Sequence, residues 1–278
     1  MNSTEAWLVI AQKELRDGLR NRWIWIVCAL LAVSVLAIAF FGAAPIGVAG
    51  THGQEALIAS LMNLTTYLVP LLALVLGCGA IIDEKARGTL DLILVYPLSA
   101  GQYFAGTFVG FALALTVACV AGLGTAGIAL RLWSGLELST YAVLIGLAVL
   151  IGLVFLGLSF LVSLLARGRD RAVVASVFVW MWFVLVFDLL VVGLLILAGG
   201  KVPTVLFGIL VLLNPADAFR ILCFQWLPGA TSPLGVATAI PSAPPSALVA
   251  AALLLWLAVP LALSYLIFRR RVAADTLV

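Results

Sequence analysis

The sequence predicts an all-α membrane protein with several transmembrane helices, and three observations predict it. Mean hydropathy is +1.26. Hydrophobic residues make up 65% of the 278-residue chain and charged residues only 10%, too few to cover a water-soluble domain of this size. The apolar residues are also gathered into runs of about 20 or more, the length a helix needs to cross a bilayer at 1.5 Å per residue.

Six such runs are predicted as spans, at 24–42, 58–82, 102–130, 141–166, 172–198 and 247–268. They are read as helices because a helix pairs its own backbone groups in lipid. The whole chain, 1–278, is read as one transmembrane domain. With six spans, Lys13, Arg16, Arg20, Arg22, Lys85, Arg87, Arg167, Arg169, Arg171 and Arg269 to Arg271 fall on one side, against Arg131, Lys201 and Arg220 on the other. This bias places the first side, and both termini, in the cytoplasm. The start is not read as a cleavable signal peptide, because its apolar run is too long and five more follow.

Ahead of the first span, residues 5–23 have amphipathic spacing. Leu8, Ala11, Leu15 and Leu19 share one stripe, and Lys13, Arg16, Asp17 and Arg20 lie opposite. This predicts a helix in the cytoplasmic interface, with Trp23 and Trp25 in an aromatic belt; it serves as an anchor, or also leans on a cytoplasmic partner. In the third span Gly106, Gly110, Ala114, Ala118, Gly122 and Ala126 recur every fourth residue. Such a face lets helix backbones approach closely, within one bundle, at a dimer seam or along a translocation wall.

The polar break at 83–99 carries the most information. Asp83 and Glu84 stand at the C-terminal end of a helix, where the dipole disfavours acids; Lys85, Arg87 or cations on a partner are expected to offset them. Gly88 breaks the helix and Thr89 caps a new one. Leu90, Ile93 and Leu94, with Asp91 among them, then form an apolar face about two turns long that Pro97 ends. Ser99 and Gln102 have capping-box spacing and open the third span. The result is a short helix that shows an apolar face to a protein, or rests on lipid.

Two further features are polar groups in apolar surroundings. Asp188 lies deep in the fifth span, so it is expected to face the bundle interior or a substrate path, hydrogen-bonded in the first case to a hydroxyl or indole. Met181, Val184, Leu185, Val192 and Leu195 share its side at helical spacing. The segment 199–246 is the longest loop and is predicted to be external. Its apolar run 202–213 is too short to span, and Asn214-Pro215-Ala216-Asp217-Ala218-Phe219-Arg220 interrupts it. Short helices dipping into the outer leaflet are expected rather than a seventh span. Asn214, Asp217, Arg220 and Trp226 are candidate contacts for a partner outside the cytoplasm.

Neither catalytic nor metal-binding residues stand out. Cys28, Cys78, Cys119 and Cys223 lack metal-site spacing, and His52 with Met1, Met62 and Met181 forms no soft-ligand cluster. The pattern G-x-x-x-x-G-K-[ST] is absent, which excludes ATP hydrolysis by a P-loop within this chain. No nucleic-acid partner is expected.

The run Glu84 to Ser99, with Arg87-Gly88-Thr89-Leu90 and Pro97-Leu98-Ser99, resembles the signature of ABC-2 type permeases. The amphipathic helix, six spans and outer re-entrant helices resemble the same family across the chain. The resemblance implies a type V exporter-like fold with an N-terminal elbow helix, in a bacterial inner membrane. It implies that 83–99 holds a coupling helix docked on a separate cytoplasmic ATPase, which binds the ATP and Mg, and that two permease copies pair. Within the family, the stretches Lys13 to Asp17 with Leu19 to Trp23, Phe40-Phe41-Gly42, and Asn214 to Arg220 are similar to permeases that serve copper-site maturation of nitrous oxide reductase. That branch implies a periplasmic accessory protein. Family members often carry Arg after the serine and Lys after a following glycine; here Ala100 and Thr107 stand instead. Copper, a sulfur species or movement without cargo stay open, the ligands weighing against copper. An ion-coupled carrier built on Asp188 and a non-transporting scaffold are the alternatives.

Overall fold

A backbone in lipid must pair its own polar groups, and the described residues of this chain do so with helices. The computed structural model describes residues 3–20, 22–43, 51–86, 99–134, 138–198, 203–227 and 244–275, and among them every regular element is helical. In chain order these are α1 (Ser3–Arg20), α2 (Arg22–Ala43), α3 (Thr51–Gly77), α4 (Ile82–Ala86), α5 (Ala100–Ser134) and α6 (Leu138–Leu165). Then come α7 (Arg169–Met181), a five-residue π-turn (Trp182–Val186), α8 (Phe187–Leu197), α9 (Thr204–Leu212), α10 (Pro215–Trp226) and α11 (Ser246–Asp275).

Five stretches are long and apolar enough to cross a membrane: Ile58–Glu84, Ala100–Ile128, Leu138–Leu165, Arg169–Leu197 and Ser246–Arg271. They overlap the five predicted runs that follow 24–42. Two bent helix pairs, Trp7–Arg20 with Ile24–Ala37 and Val205–Leu212 with Pro215–Trp226, raise the number of candidates to as many as seven. The second pair bends by 110°, the geometry of a broken span or a re-entrant hairpin.

The centre of the bundle is α6, which has no charged residue. α3, α5, α7, α10 and α11 all pack on it. Its serines do structural work where α3 ends. Ser159 Oγ donates to Leu74 O at 2.7 Å, and Ser163 Oγ accepts from the Ile81 and Ile82 amides at 3.2 and 3.3 Å. The orphan groups of the break after Gly77 are thereby paired. At the other end of the polar break, Ser99 and Gln102 form the predicted capping box. The Ser99 amide donates to Gln102 Oε1 at 3.0 Å and the Gln102 amide to Ser99 Oγ at 3.2 Å.

The small-residue face of α5 packs within the chain. A Cβ on Gly106 would lie 2.7 Å from the Trp7 carbonyl oxygen, one on Gly110 2.5 Å from Glu14 Cβ, and one on Gly122 3.1 Å from the Cys28 carbonyl oxygen. Gly18 of α1 approaches Ala114 equally closely, and the Cys28 thiol donates to Ala118 O at 3.3 Å. α1 and α2 therefore lie along one ridge of α5. This changes the reading of α1. Its buried positions are Ala11, Glu14 and Gly18, whereas Leu8 of the predicted stripe is 52% exposed and Leu15 and Leu19 are half-buried. Backbone contact with the glycines of α5 selects small residues, so the larger apolar side chains are turned aside.

Because the α1–α5 contact is backbone against backbone, Gly110→Val should lower thermal stability by about 1–3 kcal/mol. A melting curve in detergent measures this. Gly124→Val is the matched control, since nothing lies within 4 Å of its Cβ, and it should not lower the midpoint.

Candidate functional site

Two polar centres stand out in the otherwise apolar bundle. The first is the root of the segment 87–98. α4 leaves the turn held by Ser163, and its acids pair at once. Asp83 meets Arg169 at 2.8 Å, and Glu84 meets Lys13 at 2.7 Å; Lys13 also reaches Glu14 at 3.1 Å. Burial works against the charge of Lys13. The hydrogen bond to Glu84, with the charge and hydrogen bond of Glu14, outweighs it, so its pKa stands above the ordinary lysine range. Cations from α7 and α1 of the same chain thus offset Asp83 and Glu84; Arg87, expected to share this role, lies outside the described residues. Asp83 and Glu84 stand in the first turn of α4, where the dipole favours acids, and not at the C-terminal end expected, because the preceding helix already stops at Gly77. Arg169 opens a helix, where a cation is disfavoured, and its pairing with Asp83 offsets that.

The second centre lies nineteen residues further along the same helical rod, roughly 28 Å at 1.5 Å per residue. Asp188, in the first turn of α8, is ion-paired with Arg220 of α10. The same Arg220 Nη1 donates to Asp217 Oδ1 at 3.0 Å, and the guanidinium lies 5.9 Å from the centre of the Tyr67 ring. Asn214 completes the group. Its Oδ1 caps α10 by accepting from the Ala216 amide at 3.0 Å. Its Nδ2 donates to Asp217 Oδ2 and to the Phe183 carbonyl, both at 2.9 Å. The local sequence enforces this placement. A residue before proline is held extended, and Asn214 is, at φ −115° and ψ 115°, while Pro215 suits the first helical position.

The predicted residues therefore separate. Asp83 and Glu84 stand together at the root of the segment, while Arg87, Gly88, Thr89, Leu90, Asp91, Ile93, Leu94 and Pro97 lie outside the described residues. Asp188 faces the bundle interior, with an arginine in place of the expected hydroxyl or indole. Asn214, Asp217 and Arg220, expected to meet an external partner, are turned inward onto Asp188. Asn214 is 0% exposed, and the Asp217 and Arg220 side chains keep only 17% and 16% of their exposure. Of the four, Trp226 is the one on the surface.

The π-turn had no sequence signal, and it alters what shares the side of Asp188. Of the five neighbours expected there, Val184 is buried, whereas Met181, Leu185 and Val192 are exposed. The extra residue in the turn offsets the phase of Met181 relative to Asp188, whereas Val192, on the same helix as Asp188, is unaffected by it. The signal that could have found Asn214 and Arg220 is their spacing from Asp217, three residues on either side in a helix that opens with Asn-Pro. Cys28, Cys78, Cys119 and Cys223 are free and buried. Cys28 faces the backbone of α5 and Cys78 its own turn at Val75 O. Among the described residues no group of three or more His, Cys, Asp or Glu is placed to hold a metal.

Comparison with known proteins adds the following. The profile of a family described as ABC-2 family transporter protein matches residues 8–272. Two curated proteins, each named "Probable ABC transporter permease protein NosY", are similar over 268 residues. The one from Stutzerimonas stutzeri is 42% identical and the one from Pseudomonas aeruginosa 38%, each alignment covering 94% of this chain and 97% of the relative.

Removing Arg220 would leave two carboxylates facing each other in the bundle. Arg220→Ala should cost about 3–5 kcal/mol of stability, the range for stranding a buried charge. The neutral set Asp188→Asn, Asp217→Asn and Arg220→Gln, which removes both carboxylates with their cation, should recover most of that loss. Thermal melting of the purified chain reads both.

Proposed function

Because the chain belongs to the ABC-2 family of transporter proteins, we propose that it is the membrane-spanning permease subunit of an ABC transporter, with no ATPase site of its own. It is built from six spans, α2, α3, α5, α6, the α7–α8 rod and α11, with α1 as the elbow helix and α9–α10 as an external re-entrant hairpin. Both termini lie in the cytoplasm of a bacterial inner membrane, as the arginine and lysine distribution favours. Two copies pair. The apolar flanks of the α7–α8 rod and α11, which carry exposed Phe178, Leu189 and Leu255, support cover by lipid and by the second copy.

The observation that carries this reading is the root of segment 87–98. α4 is fixed to α6 by Ser163, to α7 by Asp83–Arg169 and to α1 by Glu84–Lys13. A short helix at Thr89 to Leu94, docked on an ATPase that binds ATP and Mg, would push on four helices at once. Leu90, Ile93 and Leu94 form the docking face; Arg87, Gly88, Thr89, Asp91 and Pro97 shape it. The 42% identity to a NosY protein supports a NosF-like ATPase and a NosD-like periplasmic accessory protein as partners, in copper-site assembly of nitrous oxide reductase. Trp226, exposed at the end of α10, is the described residue best placed to meet the accessory protein.

The cysteines are engaged in packing and backbone contacts, which favours a sulfur species, or movement without cargo, over copper passing through the spans. Family membership weighs against both the ion-coupled carrier and the passive scaffold, and the pairing of Asp188 with Arg220 supports a structural use of that acid.

Docking through an apolar face predicts that Leu90→Asp with Ile93→Asp abolishes copurification of the ATPase while the chain still inserts in the membrane. Normal recovery of the ATPase with that variant would reject the assignment of the docking face.

A further inference from the structure

π-Turns are rare, well under 1% of residues in proteins, and tend to occur at functional positions. The one at Trp182–Val186 is held by identifiable contacts. The Phe187 amide reaches back five residues to Trp182 O. In an α-helix it would take Phe183 O instead. That carbonyl receives the Asn214 amide at 2.9 Å. The side chain from the hairpin thus occupies the acceptor that the α-helical register requires.

The surroundings hold the two halves of the rod separately. On the α7 side, Trp180 Nε1 donates to Tyr67 O at 2.9 Å. The Phe183 ring packs edge-on against Phe155 and Trp256, with ring centres 6.1 and 5.2 Å apart. On the α8 side, Asp188 is held by Arg220. Trp256 Nε1 also donates to Leu212 O at 3.0 Å, so the same indole that braces Phe183 steadies the turn of the hairpin just before Asn214.

We propose that Asn214 is a register lock: the seated hairpin keeps the rod in its π-turn, and a lifted hairpin returns Phe183 O to the Phe187 amide. Closing the turn to α geometry removes the extra residue. α8 then rotates against α7 by about 100°, one residue's worth of helix, and carries Asp188 out of line with Arg220. The ion pair follows the register and does not set it. Its fit agrees with a contact made to be released, because Asp188 Oδ1 and Arg220 Nε are both buried without a partner. The hairpin and the rod therefore switch together. The lock goes beyond the permease reading and does not depend on it, since it concerns two parts of one chain.

The test is a spin-label scan of the full-length chain in lipid nanodiscs, one label at a time over 170–181 and 187–197. Oxygen accessibility gives the lipid-facing phase of each half. In the unmodified chain Leu189 and Leu190 should read as accessible and Val191 as protected, in line with their exposures of 72%, 55% and 7%. Asn214→Ser keeps a cap for Ala216, but its hydroxyl ends one bond short of the amide it replaces. It should shift the phase of 187–197 relative to 170–181 by about 100°. An unchanged phase overturns the lock. Where that variant does not fold, Asn214→Asp keeps the cap and the shape while presenting an acceptor to Phe183 O, and the same two outcomes decide. Asp188→Asn with Arg220→Gln should leave the phase as it was; a shift there would mean that the ion pair sets the register, and would also overturn the proposal.

Discussion

The constraint on which this structure depends is that a backbone group in lipid has no water to turn to. Regular helix meets it along each span. At several places where a helix ends or deforms, a side chain from elsewhere takes a backbone group. Ser163 does so for the break after α3, Trp25 for the Leu19 carbonyl at the end of α1, Arg271 for Leu164 at the end of α6, and Trp256 for Leu212 at the end of α9. Each of these contacts joins two elements, so the pairing of stray backbone groups also determines which helices are tied together.

Charge obeys the same rule at higher stakes. An acid away from water is costly unless paired, and Asp83, Glu84 and Asp188 sit where pairing ties distant parts of the sequence together. The helices α5 and α6 lie between Asp83 and Arg169 in the chain, and α2 and α3 between Lys13 and Glu84. Arg220 serves two acids at once and gathers Tyr67, Asp188 and Asp217 from three elements. The two polar centres lie on one rod, so a displacement of α7 at the first bears on α8 at the second through the π-turn.

Much of the fold was legible in the sequence. Long apolar runs, the Ser99–Gln102 cap and the small-residue ridge of α5 are local patterns, although the ridge shows only that a backbone comes close and not that α1 and α2 supply it. Other features depended on neighbours that no local pattern names. The amphipathic spacing of α1 marks an apolar face, but nothing in it names the glycine ridge of α5 that accepts Ala11 and Gly18. Asp188 was recognised as an interior acid, but its counterion lies 32 residues away, in a segment whose charges looked external. The π-turn inserts a residue without a glycine, a proline or a polar residue to mark it.

Both ends of segment 87–98 rest on the same helix. Its root at Glu84 is tied to Lys13, and its exit at Ser99 leads into the first turns of α5, which lie on α1 through Gly106 and Gly110. Stacking of Tyr103 on Phe268 of α11 braces that exit from the other side. α4 and the start of α5 are thus both anchored on α1, the first by an ion pair and the second by backbone contact, so a displacement of α1 bears on both described ends of the segment at once.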